Sequence, residues 1–140
     1  MLRPLSEGRR YDLVIDLEPA FLRVQCKLAR SVNGALVIGL QTNRCTPRGY
    51  LSTSYSGAEV DAIAAYSPSL RESFLVPIGE ITARRALHLR LDTPRNNQSR
   101  RVTWASEYAI APVLCRLRQA SGLGAGHVVP ATLSKPYPGL

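Results

Sequence analysis

Two short stretches of alternating polarity, Tyr11–Asp16 and Phe21–Lys27, constrain the fold of this chain more than any other feature. Alternation with a period of two marks a strand that buries one face and leaves the other open. Between the stretches lies Leu17-Glu18-Pro19-Ala20, a turn-like break, so the pair reads as a β-hairpin. Centring the hairpin between Glu18 and Pro19 sets Asp16 opposite Phe21, Asp12 opposite Gln25 and Arg10 opposite Lys27. Successive side chains point to opposite faces, so Asp12, Gln25 and Lys27 share one face. The other face carries Leu13, Ile15, Leu22, Val24 and Cys26, an apolar set expected in a core.

A carboxylate, an amide oxygen and an ammonium on one polar patch suit metal-assisted hydrolysis of a phosphodiester. A hard divalent cation such as Mg²⁺ takes oxygen ligands, usually one or two carboxylates completed by water and phosphate. Asp12 is then the charged ligand, with the side-chain carbonyl of Gln25 and the backbone carbonyl of Cys26 as neutral ligands. Lys27 orients or deprotonates the attacking water, or balances charge on the pentacovalent phosphorus. The catalytic candidates are therefore Asp12, Gln25 and Lys27. The competing reading of the same residues is the solvated face of an ordinary half-exposed hairpin.

A chain of 140 residues suffices for one domain with a modest core. It has no apolar run near the ~18 residues that a membrane span needs, and its start lacks the apolar centre of a secretory signal. A cytoplasmic protein is expected. Cys26, Cys45 and Cys115 are odd in number and fit no CxxC or Cys/His zinc spacing, which favours reduced thiols. Eighteen basic against ten acidic side chains leave a net charge of +8, an excess that draws polyanions, nucleic acid foremost. An arginine bias of this kind also arises from genome composition. Lys27 and Lys135 are the only lysines, which sets apart the one inside Gln-x-Lys.

Further along, Leu28–Gly34 reads as a basic connector with a turn at Asn33-Gly34, and Ala35–Leu40 as a buried strand beside the hairpin. Residues 41–57 read as a long loop in which Arg44, Arg48, Tyr50 and Tyr55 mix basic and aromatic groups able to follow a phosphate backbone and stack on bases. The alternative is a merely solvated loop. Val60–Tyr66 is expected to be a strand, ended by Ser67-Pro68-Ser69 and paired in a hairpin with Ser73–Pro77. Asp61 at its start lies near the site, or serves as a cap or salt-bridge partner. A helical turn is expected within Ile78–Arg85. Leu87–Leu91 alternates and places His88 and Arg90 on one polar face, where the histidine is simply solvated. Thr93–Arg101 is a loop of amides and guanidinium groups, suited to phosphates and base edges or to a turn held by asparagine side chains. Val102–Tyr108 suits a short helix with Trp104 and Tyr108 on one face, packed in the core. One more helical turn runs through Arg118, followed by a Gly/Pro/Ala-rich tail expected to be disordered.

Taken in order, several of these segments resemble a known family. Arg10-Tyr-Asp-Leu-Val-Ile-Asp16 and Arg23-Val-Gln-Cys-Lys27 resemble the PD-(D/E)xK nuclease motif in its variant with Gln in the second acidic slot, as in group I intron homing endonucleases. So do Tyr55-Ser-Gly-Ala-Glu-Val-Asp61, Phe74-Leu-Val-Pro77, Leu89-Arg90, Asn96-Asn-Gln98 and Trp104-Ala-Ser-Glu-Tyr108. Each is weak alone; their order over about residues 3–110 is specific. The resemblance implies an α/β, restriction-endonuclease-like core, a central mixed sheet flanked by short helices, and Mg²⁺-dependent DNA cleavage, Mn²⁺ being an alternative ion. It makes residues 1–110 the nuclease-like domain and 111–140 a helical turn with its tail. It adds Arg44, Arg48, Tyr55, Arg95, Asn97 and Gln98 as DNA contacts.

Two departures accompany it. Tyr11 stands where the family has Pro, a position that contributes only backbone shape. The family also begins with a helix whose Glu completes the metal site, whereas this chain opens at Met1-Leu-Arg-Pro-Leu5, the piece that follows that helix. The first helix is thus expected to be absent, with Glu7 or Asp61 left to substitute. The expected function is a divalent-metal-dependent endonuclease acting on double-stranded DNA. The alternatives are a DNA-binding remnant without catalysis and a truncated fragment. Cutting both strands requires two active sites, so a homodimer or tetramer is expected.

Overall fold

The computed structural model describes residues 9–92 and 102–121. The hairpin forms in the expected register: β1 (Leu13–Asp16) runs antiparallel to β2 (Phe21–Val32), with Asp16 opposite Phe21 and Leu13 opposite Val24. Its turn is held by the Asp16 carboxylate, which accepts the Glu18 N–H at 3.0 Å, and by the Leu17 N–H on the Ala20 carbonyl at 2.8 Å.

β2 does not stop at Lys27. The expected connector Leu28–Val32 is its second half, because it pairs with β3 (Ala35–Gly39) through a tight turn at Asn33-Gly34. Both turn residues have positive φ, 48° and 73°, the mirror-image geometry that an Asn-Gly pair adopts cheaply and that matches the twist of the flanking strands. β4 (Gln41–Thr46) and β5 (Gly49–Ser54) follow, then β6 (Ala62–Ser67), β7 (Glu72–Pro77) and β8 (Ala86–Arg90). The main sheet has the order β7-β6-β2-β3-β8, with β1 also on β2; β6 is parallel to β2 and the other pairings are antiparallel. This is the mixed sheet of an α/β restriction-endonuclease-like fold.

The expected strand at 60–66, its hairpin partner and the alternating strand at 87–91 all form. The helical turn near 78 is a 3₁₀ turn, Ile78–Glu80, and a second one, Ala105–Tyr108, occupies the short helix expected there. α1 (Ile110–Ser121) is longer than the single turn expected; Pro112 falls in its first turn, where a missing N–H costs nothing.

Of residues 41–57, expected to be a loop, 41–54 are not one. β4 and β5 form a separate two-stranded ribbon, with Arg44 opposite Leu51 and Cys45 opposite Tyr50. Every residue of β5 is exposed, Tyr50 to 84%. Its Thr, Ser and Tyr content fits a strand backbone, but with neither face buried it has no polarity alternation to betray it.

Two cores lie on the sheet. One gathers Leu36, Ile38, Ile63, Ala65, Phe74, Val76, Leu87 and Leu89. The other joins Leu22, Val24, Ala62 and Leu75 to Val113 of α1. Each fully buried Val, Leu, Ile or Phe among them contributes about 1.5–3 kcal/mol. The second core stops at Val24. Cys26 and Leu28 continue the same face of β2 but are exposed, Leu28 to 65%, so the placement of Cys26 in the core is corrected. The apolar set that includes α1 reaches only the first half of that strand face.

Candidate active site

The long strand β2 is partnered unevenly, and the unevenness creates the site. β6 pairs with Val24–Leu28 on one edge. On the opposite edge β1 leaves at Val24 and β3 joins only at Ala29, so Gln25–Leu28 have no strand there. The Cys26 N–H, open to this gap, is met by a side chain: it donates to Asp12 Oδ2 at 2.8 Å. N–H and C=O of one residue point to the same edge of a strand, so the Cys26 carbonyl lines the gap as well. Asp12 is fixed from behind by its own N–H on the Val24 carbonyl at 2.8 Å.

Gln25 Nε2 donates to the same Asp12 oxygen at 2.5 Å and lies 3.4 Å from the Cys26 carbonyl. The amide orientation follows from chemistry, since an ionised carboxylate only accepts. Asp12, Gln25 and the Cys26 backbone are thus brought together as the hairpin register requires. Lys27 occupies the same face two positions on, half-buried; its Nζ stands 5.0 Å from the centre of the Tyr55 ring. It makes no ion pair among the described residues. Partial desolvation, and then the Asp12 charge, push the Cys26 thiol above its ordinary value.

Asp61 has another occupation. Arg23, on the same face of β2 as Gln25, grips it with a fork: Nε to Oδ2 and Nη2 to Oδ1, both at 2.9 Å, with the Arg23 backbone N–H on Oδ2 at 2.8 Å. The same guanidinium holds the carbonyls of Ala58 at 2.7 Å and Gly57 at 3.1 Å. The hydrogen bond from the Arg23 side chain, above all, keeps the Asp61 carboxyl below the usual carboxylate range. Of the two roles open to Asp61, the structure shows the salt bridge. Arg23 itself was missed in the sequence, because its partner stands just before β6, 38 residues away, and no local spacing signals the parallel pairing of β6 with β2.

The remaining candidates scatter. Arg44 and Arg48 lie exposed on the β4–β5 ribbon. Tyr55, just past β5, is half-buried; Arg10 Cζ and Lys27 Nζ lie 4.7 Å and 5.0 Å from its ring centre, and its hydroxyl accepts from Thr42 Oγ1 at 2.5 Å. Arg10 also donates from Nη2 to the Ser54 carbonyl at 3.0 Å and brings Nε to 3.4 Å from Glu59. Glu7, Arg95, Asn97 and Gln98 lie outside the described residues.

Comparison with known proteins bears on this arrangement. Residues 1–111 match the PD-(D/E)XK endonuclease family. The chain belongs to that family. The fold is also similar to the solved structure of a bacterial homing endonuclease, I-Ssp6803I, at 26% identity and a TM-score of 0.65, over 87% of this chain and 82% of that one. No functionally curated protein matches.

The donor set suits the divalent cation that such nucleases generally use: one carboxylate, one amide and one backbone carbonyl, all able to present oxygen and none of them soft. No cluster of three or more His, Cys, Asp or Glu exists among the described residues. Nor is any described helix long and apolar enough to cross a membrane.

Proposed function

We propose that this chain is a divalent-cation-dependent endonuclease that hydrolyses phosphodiester bonds in double-stranded DNA. The observation that carries this reading is the gap in β2, where Asp12, Gln25 and the Cys26 carbonyl converge one step from Lys27 on a strand face of a PD-(D/E)XK family member. Asp12, the Gln25 carbonyl and the Cys26 carbonyl would hold Mg²⁺ or Mn²⁺, Gln25 after its amide turns over. The bound cation supplies charge neutralisation at the phosphate and a lowered pKa for water. The chain does the rest. Lys27 orients the attacking water and meets the negative charge that builds on phosphorus, from the face of β2 that also carries Gln25.

DNA engagement falls to the ribbon and to the basic excess. A two-stranded ribbon fits the major groove, about 12 Å wide, and β4–β5 offers Arg44, with Arg48 at its tip, to phosphates and base edges. Arg95, Asn97 and Gln98 are proposed as further contacts. Two copies, in a homodimer or tetramer, would bring a site to each strand, and the cytoplasm is the proposed compartment.

The test is cleavage of plasmid and linear DNA by the purified chain with Mg²⁺ or Mn²⁺. Wild type should nick or cut, while K27A should be inactive with an unchanged thermal transition. The competing reading, a DNA-binding remnant, is favoured by Asp61: Arg23 occupies both of its oxygens, which leaves Asp12, among the described residues, as the carboxylate of the site with no cation partner. It predicts salt-sensitive binding without cleavage by either protein, and that result would retire the enzyme.

A further inference from the structure

Two cations from different parts of the chain sit against one aromatic ring. Lys27 comes from β2 and Arg10 from the segment before β1, and both reach Tyr55. Tyr55 follows β5 directly, and its hydroxyl is tied to Thr42 on β4, so the ring is anchored in the root of the ribbon. It also packs against the core that contains Ile63 and Ala65. A lysine ammonium on a four-carbon stem has no fixed direction of its own, and β2 alone determines only the face on which the stem starts. An aromatic face attracts the cation electrostatically and leaves its N–H donors free for other partners, unlike a carboxylate, which would consume them.

We propose that Tyr55 is the positioning residue for Lys27: the ring holds the ammonium on the Asp12 face of β2 and links it to the base of the ribbon. This rests on the nuclease reading for its consequence, but not for the contact itself. The same ring is therefore engaged inside the protein rather than offered to a DNA base. The phenol oxygen is secondary, since packing against the core with Ile63 and Ala65 also holds the ring in place.

Lys27 and Lys135 are the only lysines, so a chain grown with ε-¹³C lysine gives just two side-chain methylene signals, assigned with K27R. In the free protein the Lys27 signal should lie upfield of its own position in the urea-unfolded chain through the ring current. Y55F should retain that shift and Y55L should abolish it. In cleavage assays Y55L should lose tenfold or more in kcat, within the ~10²-fold that misplacing a reacting group costs, while KM for DNA stays within about twofold. Y55F should restore the rate.

A wild-type Lys27 signal with no upfield shift overturns the proposal without any variant, as does a shift that survives in Y55L. A Y55L protein with raised KM and intact kcat overturns it too, because the ring then contacts DNA. A shift that vanishes in Y55L within a wild-type background that cuts nothing upholds the contact and removes the nuclease reading alone.

Discussion

Replacing Gln25 by glutamate tests the site geometry without asking for catalysis. Gln25 Nε2 lies 2.5 Å from Asp12 Oδ2, so Q25E exchanges a donor–acceptor contact for two facing carboxylates. After relaxing to about 4 Å, two unit charges repel by about 1 kcal/mol in water and about 4 kcal/mol at an effective dielectric constant near 20. Asp12 is exposed and Gln25 half-buried, which places the repulsion toward the lower figure. With the lost charge-assisted hydrogen bond added, the variant should be destabilised by about 2 kcal/mol. For a chain of this size that is a fall in Tm of about 6–10 °C. The sign with pH follows from linkage. The introduced carboxylate faces a like charge only in the folded state, so its folded pKa is raised. The deficit should be absent below about pH 4, grow as pH rises through the raised value, and be complete at neutrality. Millimolar Mn²⁺ or Ca²⁺, followed by thermal melts, should raise the Tm of Q25E more than that of wild type, because a cation between the two carboxylates cancels their repulsion. Equal Tm values for the two proteins from acid to neutral pH, or a deficit that no divalent cation relieves, would refute the placement of Gln25 against Asp12.

The depressed Asp61 carboxyl contributes stability that is present above the ordinary carboxylate pKa, about 4, and lost as pH falls through its lower folded value. Wild type should therefore melt above D61N at neutral pH, with the gap closing in acid; a pH-independent gap would mean that the Arg23 pairing is not its source. In a C45S/C115S background, iodoacetamide should modify Cys26 with a pH midpoint above that of an ordinary thiol, and D12N should bring the midpoint down. An unchanged midpoint in D12N would show that desolvation alone raises it. R44A and R48A should each weaken DNA binding and lower the log–log salt slope by about 0.9 per lost phosphate contact, which titrations at several salt concentrations will read.

Local chemistry wrote the hairpin and its register. Alternation assigned faces, Leu17–Ala20 located the turn, and a period of exactly two then left a single way to set Asp12 opposite Gln25; Asn33-Gly34 marked the next turn because few other pairs adopt two positive φ values cheaply. Tertiary structure decided the rest. The apolar set around α1 ends at Val24, so Cys26 is exposed although its alternation matches that of Leu22 and Val24. The ribbon at 41–54 buries neither face and so carries no periodic signal to read. Arg23 found Asp61, and Lys27 found Tyr55, through strands distant in the chain. Such contacts depend on how segments distant in the chain are assembled, which no local spacing encodes.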